Sequence, residues 1–181
     1  INERGEATPD YHVFRQLLAA HTRRPLSGVP ASPPAIRFAP VMPAAHASLW
    51  DNLPPSTAVR APQANELLFA QDHGLVLYRR EIHGGGGVLT IDGVRDYATV
   101  FSDGIYIDAV SRVEHLRLRK GHRVDLPPGA AAKPALIDIL VDSFGHVGYG
   151  PAMADRKGIV VGIRLDDDVL ENWNVCSLPL D

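Results

Sequence analysis

The chain has 181 residues, 45% of them hydrophobic and 22% charged, with a formal net charge of −3. That length suits one domain plus an appendage and is too short for a (β/α)8 barrel, which takes about 250 residues. The mild acidity argues against nucleic acid or an anionic membrane as partner, and no apolar run approaches the roughly 18 residues of a membrane-crossing helix.

Residues 1–24 read as a loop and one helix. Thr8 is a suitable N-cap, Pro9 stands at the first helical position where its missing N–H costs nothing, and Asp10 in the first turn complements the macrodipole. Phe14, Leu17, Leu18 and His21 follow helical spacing, flanked by Tyr11 and Val13. Arg23 and Arg24 suit the C-terminal end, and Pro25 stops the helix. A helix this short is marginal alone in water, so its apolar stripe needs a partner.

Residues 25–64 read as a proline-rich linker. Prolines at 25, 30, 33, 34, 40, 43, 54 and 55 exclude helix interiors and central strands and favour extended chain. Residues 47–53, Ala-Ser-Leu-Trp-Asp-Asn-Leu, interrupt the linker as a short helical segment.

From about residue 65 the texture changes to short strands and turns. Residues 75–83 alternate, with Val76, Tyr78, Arg80 and Ile82 on one face. Strands are expected over 88–91, 97–101, 105–110, 113–118 and 122–126, with Asp103-Gly104 as a hairpin signal between two of them. Residues 135–141 form a nearly continuous apolar run, as a strand buried on both faces would. Segments 158–165 and 169–178 follow, joined by the turn Asp166-Asp167-Asp168. Many short strands with no long helix between them predict an all-β antiparallel sandwich or jelly roll over residues 65–181.

Isolated features carry little chemistry. Cys176 is the only cysteine, which excludes an internal disulfide framework, and its apolar neighbours give it the role of a small hydrophobe. Gly84-Gly-Gly-Gly87 lacks the Lys-Ser/Thr of a phosphate-binding loop and reads as a flexible hairpin loop. The eight histidines show no metal-ligand spacing, and the aspartates at 166–168 lack the EF-hand pattern and read as a solvated turn. Neither a metal nor a cofactor is expected. Asn65, Glu66 and Asp72 fit turn chemistry better than sugar binding.

Two stretches carry more. Val141-Asp-Ser-Phe-Gly-His-Val-Gly-Tyr-Gly-Pro151, followed by Asp155-Arg-Lys-Gly158, resembles a signature near the end of the β-domain that follows the catalytic barrel in glycoside hydrolase family 35 β-galactosidases. Other segments resemble the same family in the same order. Residues 3–18 are similar to its last barrel loop and eighth helix, and Ser48-Leu-Trp-Asp-Asn-Leu53 to the approach to the β-domain. Gln71-Asp-His-Gly-Leu-Val-Leu-Tyr-Arg79, Gly93-Val-Arg-Asp-Tyr-Ala98 and Trp173-Asn-Val-Cys-Ser-Leu-Pro-Leu180 resemble its strands. The chain departs from the family at Ser143 and Gly148, where Asn is usual, and at His146, where Arg is usual.

The resemblance implies a retaining β-galactosidase as parent, with its two catalytic glutamates on barrel strands and neither of them in this chain. Residues 1–24 would be the last loop and helix of the barrel, 25–64 a linker and 65–181 the jelly roll, a galactose-binding-like β-sandwich. The implied role is a non-catalytic accessory domain that braces the barrel and lines the galactose pocket through Tyr149. Trp50, Asp155 and Arg156 would lie at the interdomain boundary. The partners would be the catalytic barrel, a further β-domain and, in the parent, a β-galactoside. Family members are often secreted, periplasmic or lysosomal, which leaves the compartment open. The reading of another class is an autonomous carbohydrate-binding module, which wants several exposed aromatics in a row on the sheet.

Overall fold

The alternation between residues 76 and 82 divides the chain's β region into layers. In the computed structural model, which describes residues 1–22, 24–32, 34–84, 86–112, 122–128 and 133–180, Val76, Tyr78 and Ile82 face one way into the main core. The chain forms two compact units, residues 1–46 and residues 47 onward.

The first unit contains α1 (Pro9–His21). The Thr8 hydroxyl caps it by accepting from the Tyr11 amide, with Pro9 at the first position. Val13, Phe14, Leu17 and Leu18 are all exposed. Arg15 donates to the Leu26 and Ser27 carbonyls, holding the chain that follows the helix.

The second unit is built from β1 (Thr57–Val59), α2 (Asn65–Phe69), β2 (His73–Ile82), β3 (Gly87–Arg95), β4 (Tyr97–Ser102), β5 (Ile105–Ser111), β6 (Arg123–Leu126), β7 (Ala135–Phe144), a 3-10 turn (Pro151–Ala154), β8 (Gly158–Leu165), β9 (Asp168–Val169) and β10 (Trp173–Leu178). Among the described residues these strands make two antiparallel sheets, ordered β1-β10-β2-β7-β4-β5 and β6-β3-β8-β9. The fold is therefore the expected all-β antiparallel sandwich. Its core is one cluster in which Val76, Tyr78, Val100, Ile139, Val141 and Trp173 of one sheet meet Leu89, Ile91, Val124, Ile159 and Ile163 of the other. Trp173 is held by its indole N–H on the Leu170 carbonyl at 3.0 Å and by the edge of Tyr78. Leu77 and Cys176 point to the opposite face of their sheet and are buried as well, and burial raises the thiol pKa of Cys176.

The hairpin at Asp103-Gly104 forms as its sequence predicts. It joins Ser102 to Ile105 with both central residues at positive φ, +50° and +77°, the conformation that Asp-Gly tolerates. The Asp103 carboxylate also accepts from the Leu136 amide of β7 at 3.0 Å, tying the hairpin to the sheet interior.

Four local readings change. Residues 82–87 do not close a hairpin: β2 and β3 belong to different sheets, so this connection crosses between layers. Residues 47–53 form a turn, not a helix. The Asn52 side chain donates to the Ser48 carbonyl and its amide to the Leu49 carbonyl, the local competition with helix that Asn is prone to. The proline-dense stretch contributes an edge strand, Thr57–Val59 on β10, where Pro55 and Pro62 fall outside the paired residues. Asp166 is more than a solvated turn residue: its amide and carboxylate both bond the backbone of Val88. The strand expected over 113–118 lies outside the described residues, as do residues 23, 33, 85 and 129.

Where α2 meets the start of β8, a glycine is required. Gly158 sits at φ +96°, and a Cβ there would lie 2.3 Å from the Asn65 side-chain oxygen Oδ1 and 3.2 Å from the Tyr78 hydroxyl. Gly158→Ala is expected to lower stability by about 2–5 kcal/mol, from backbone strain and overpacking together. Urea unfolding checks this through the transition midpoint, and an unchanged midpoint would show that Asn65 can yield at no cost.

Candidate functional site

The segment between β7 and β8 contains the Gly148-Tyr149-Gly150 sequence and lies beside a buried charge cluster. Asp96, in the one-residue link between β3 and β4, is the centre. The Lys157 ammonium donates to both of its carboxylate oxygens, at 3.1 and 2.8 Å. Arg112, just past β5, donates to Oδ1 at 2.7 Å, and the Phe144 amide to Oδ2 at 3.1 Å. Lys157 is only 1% exposed, as a lysine can be only when fully paired. Burial alone would raise the Asp96 pKa. The hydrogen bonds from Lys157, Arg112 and the Phe144 amide, with the Lys157 charge, outweigh it and hold the carboxyl below its ordinary value.

The cluster extends in two directions. Arg112 and Arg95 both reach Asp155, Arg95 at 3.3 Å. On the other side, the Lys157 amide donates to both Glu66 oxygens at 2.8 and 3.0 Å, and the Lys157 carbonyl accepts from the Asn65 amide. Asn65 is fully buried and donates to the Ser143 hydroxyl, which donates to the Arg95 carbonyl. The start and end of the segment, Phe144 and Lys157, are thus fixed to the same carboxylate. Burial, followed by the Asp96 charge, raises the pKa of neighbouring Asp142.

Tyr149 stands outside this cluster with 94% of its surface exposed. It forms a wall, with Phe144, Val147 and Pro151, of an open cleft of about 390 Å³ whose polar lining includes Asp96 and Arg112. A second cleft of about 280 Å³ lies between Pro62, Leu67, Arg95, Asp155 and Arg156. Trp50 packs edge-on against Phe101 with centroids 5.0 Å apart, and the Arg79 guanidinium lies 5.9 Å from its ring centre. Beneath it Arg79 pairs with the buried Asp138 in a two-bonded fork. Arg156 is exposed. Asp72 is bonded to His73, and His146 lies near both Glu66 and Asp72, at 3.8 and 3.9 Å. Glu66 and Asn65 serve the framework, so the structure joins them to Lys157 and not to Tyr149. The described residues include no group of three or more His, Cys, Asp or Glu that could hold a metal.

Comparison with known proteins identifies the architecture. Residues 64–180 match the family model described as β-galactosidase, first all-β domain. The chain belongs to this family. It is 36% identical over 184 residues to a β-galactosidase of Xanthomonas manihotis, covering 99% of this chain and 29% of that protein. It is 28% identical over 191 residues to the Homo sapiens β-galactosidase, covering 26% of it, and 26% identical over 192 residues to the Homo sapiens β-galactosidase-1-like protein 2, covering 28%. This β-galactosidase all-β domain, with the residues ahead of it, therefore spans under a third of the relatives it matches.

Sequence reasoning quoted both signatures that hold the cluster but gave the weight to Asp155 and Arg156. Asp96 and Lys157 are 61 residues apart, and no local spacing pairs them. The available signal was one acid and one base, each standing inside a family-like signature.

The depressed Asp96 pKa has a definite sign. Its contribution to stability is fully present above about pH 4, the unfolded carboxylate range, and is lost as pH falls through the lower folded value. The raised Asp142 acts in the opposite sense. Asp96→Asn is expected to cost about 3–5 kcal/mol near neutrality, since it leaves the buried Lys157 ammonium without its countercharge. It should also flatten the fall in melting temperature below about pH 4. Melting curves of both proteins from pH 2 to 7 check this, and parallel curves would place the acid sensitivity elsewhere.

Proposed function

We propose that this all-β domain is a non-catalytic accessory domain of a β-galactosidase, bracing a catalytic barrel and lending Tyr149 to the wall of a galactose pocket. The observation that carries this reading is the contrast at the segment after β7. Its two ends are bound to one buried carboxylate, while Tyr149 projects bare beside an apolar cleft. A phenol in that position offers a flat apolar face and one hydroxyl, a combination suited to a sugar ring. In the same reading residues 1–24 are the last loop and helix of the barrel and residues 25–64 the linker. The exposed Val13, Phe14, Leu17 and Leu18 are then the face that the rest of the barrel covers. A further β-domain completes the parent. At the boundary Arg156 is free to meet a partner, while Trp50 and Asp155 support it from within through Arg79, Arg112 and Arg95.

The one carboxylate among the residues lining the Tyr149 cleft, Asp96, supports a non-catalytic role. A glycosidase acid must hold its proton near neutral pH, whereas Asp96 is held below the ordinary range with both oxygens occupied. The carbohydrate-module alternative draws little support from the aromatics. Trp50, Phe101 and Tyr106 meet edge to face, at 74° and 78°, and do not form a coplanar platform for sugars.

Two outcomes follow. The purified chain is expected to release no nitrophenol from an aryl β-galactoside. Turnover that persists through repurification and disappears on mutating a carboxylate in residues 65–181 would contradict the reading. In the full-length enzyme, Tyr149→Phe is expected to lower kcat/KM by about 2- to 13-fold, the loss of one hydrogen bond of roughly 0.5–1.5 kcal/mol. The melting temperature should hold. Unchanged kinetics would place Tyr149 outside the pocket.

A further inference from the structure

We propose that the cleft beside Tyr149 is an aglycone subsite for an apolar group. A β-galactoside carrying an alkyl chain lays that chain against Phe144, Val147 and Pro151. The inference rests on the reading of Tyr149 as the wall of a galactose pocket and adds what lies next to the sugar.

The apolar side of the cleft comes from one continuous stretch of chain. Phe144 ends β7, Val147 and Tyr149 follow it, and Pro151 and Ala152 open the 3-10 turn. The cleft's volume, about 390 Å³, lies within the roughly 300–1,000 Å³ of small-molecule sites. Phe144 is 72% exposed and Val147 39%, so large apolar groups stand in water here. Their backbone is anchored. The Phe144 amide is on Asp96, and the Met153 and Asp155 amides close the turn on the Gly150 and Ala152 carbonyls. Asp155 is paired with both Arg95 and Arg112. Walls set in place before a ligand arrives lower the cost of binding it.

The polar end of the cleft decides which half of a galactoside it suits. Asp96 accepts two hydrogen bonds from the Lys157 ammonium, one from Arg112 and one from the Phe144 amide. A carboxylate has about four lone-pair sites, so Asp96 keeps none for a sugar hydroxyl. Arg112 is turned between Asp96 and Asp155, which match its charge. Ser111, the other polar residue among the described lining residues, is not free. A galactosyl ring carries hydroxyls on most of its carbons, and each one buried here without a partner is costly. An alkyl chain has no such need and gains by leaving water. The exception is Tyr149, whose phenol offers a hydroxyl. The sugar therefore belongs at Tyr149, and hydrocarbon belongs beyond it, along Val147 and Phe144.

The test is the kinetics of the full-length enzyme on methyl, propyl and hexyl β-galactosides, whose leaving alcohols differ little in basicity. A fully buried CH2 group is worth roughly fourfold, and an open cleft that gives half of that energy yields about twofold per CH2. The native kcat/KM should therefore rise about 30-fold from methyl to hexyl. Phe144→Ser and Val147→Thr should each cut the hexyl-to-methyl ratio by about threefold or more. Both side chains are part-exposed, and an unchanged melting temperature confirms that each variant is folded. A flat native series overturns the proposal, as does a slope that neither variant changes. Tyr149→Phe separates this from the pocket reading. If it lowers all three substrates equally while the slope ignores Phe144 and Val147, the pocket reading stands and the aglycone subsite falls. If it is silent while the slope depends on Phe144 and Val147, the apolar subsite stands and the galactose contact falls.

Discussion

The pairing of Lys157 with Asp96 is the constraint on which the Tyr149 face of this domain depends. A lysine ammonium removed from water costs several kcal/mol unless it is matched and hydrogen-bonded, and here both Asp96 oxygens receive it at 3.1 and 2.8 Å. The pair brings the link between β3 and β4 against the start of β8. Because Asp96 also accepts from Arg112 and from the Phe144 amide, it fixes where β5 ends and where β7 gives way to the Tyr149 segment. One carboxylate thus sets the positions of four chain segments.

This division of labour separates stability from presentation. The intersheet core of Val, Ile, Leu, Tyr78 and Trp173 holds the sandwich together through apolar burial, which is non-directional. The charge cluster contributes direction: hydrogen bonds to a carboxylate fix its partners by geometry as well as energy. Tyr149 and Phe144, both largely exposed, can therefore be offered to a partner from a base that does not itself depend on that partner. The relatives that the chain matches are more than three times its length.

Much of the fold was legible in the sequence because it is written in local terms. Val76-Leu-Tyr78 alternation, the Asp103-Gly104 turn and the apolar run of β7 each follow from side-chain period or turn chemistry. The cross-layer path from Ile82 to Gly87 was not legible, because nothing in a glycine run tells a hairpin from a crossover. The helix Asn65–Phe69 was missed because five residues give too little periodicity to read. For the candidate site, Tyr149 was singled out through its neighbours in a motif. Its foundation was not, because Asp96, Arg112 and Lys157 come together only when three separate strand ends converge. A lysine beside an arginine after Asp155 looks solvated in sequence, and only the fold shows that one of the two is buried.

The most direct test of this account is a crystal structure of the Lys157→Met variant. Methionine fills much of the same volume but withdraws the ammonium from Asp96. If the cluster positions the segment after β7, the strands of both sheets should superpose on the native fold while residues 145–156 shift or lose order. A variant in which those residues and the Tyr149 ring keep their native positions would contradict the claim that the buried pair holds them.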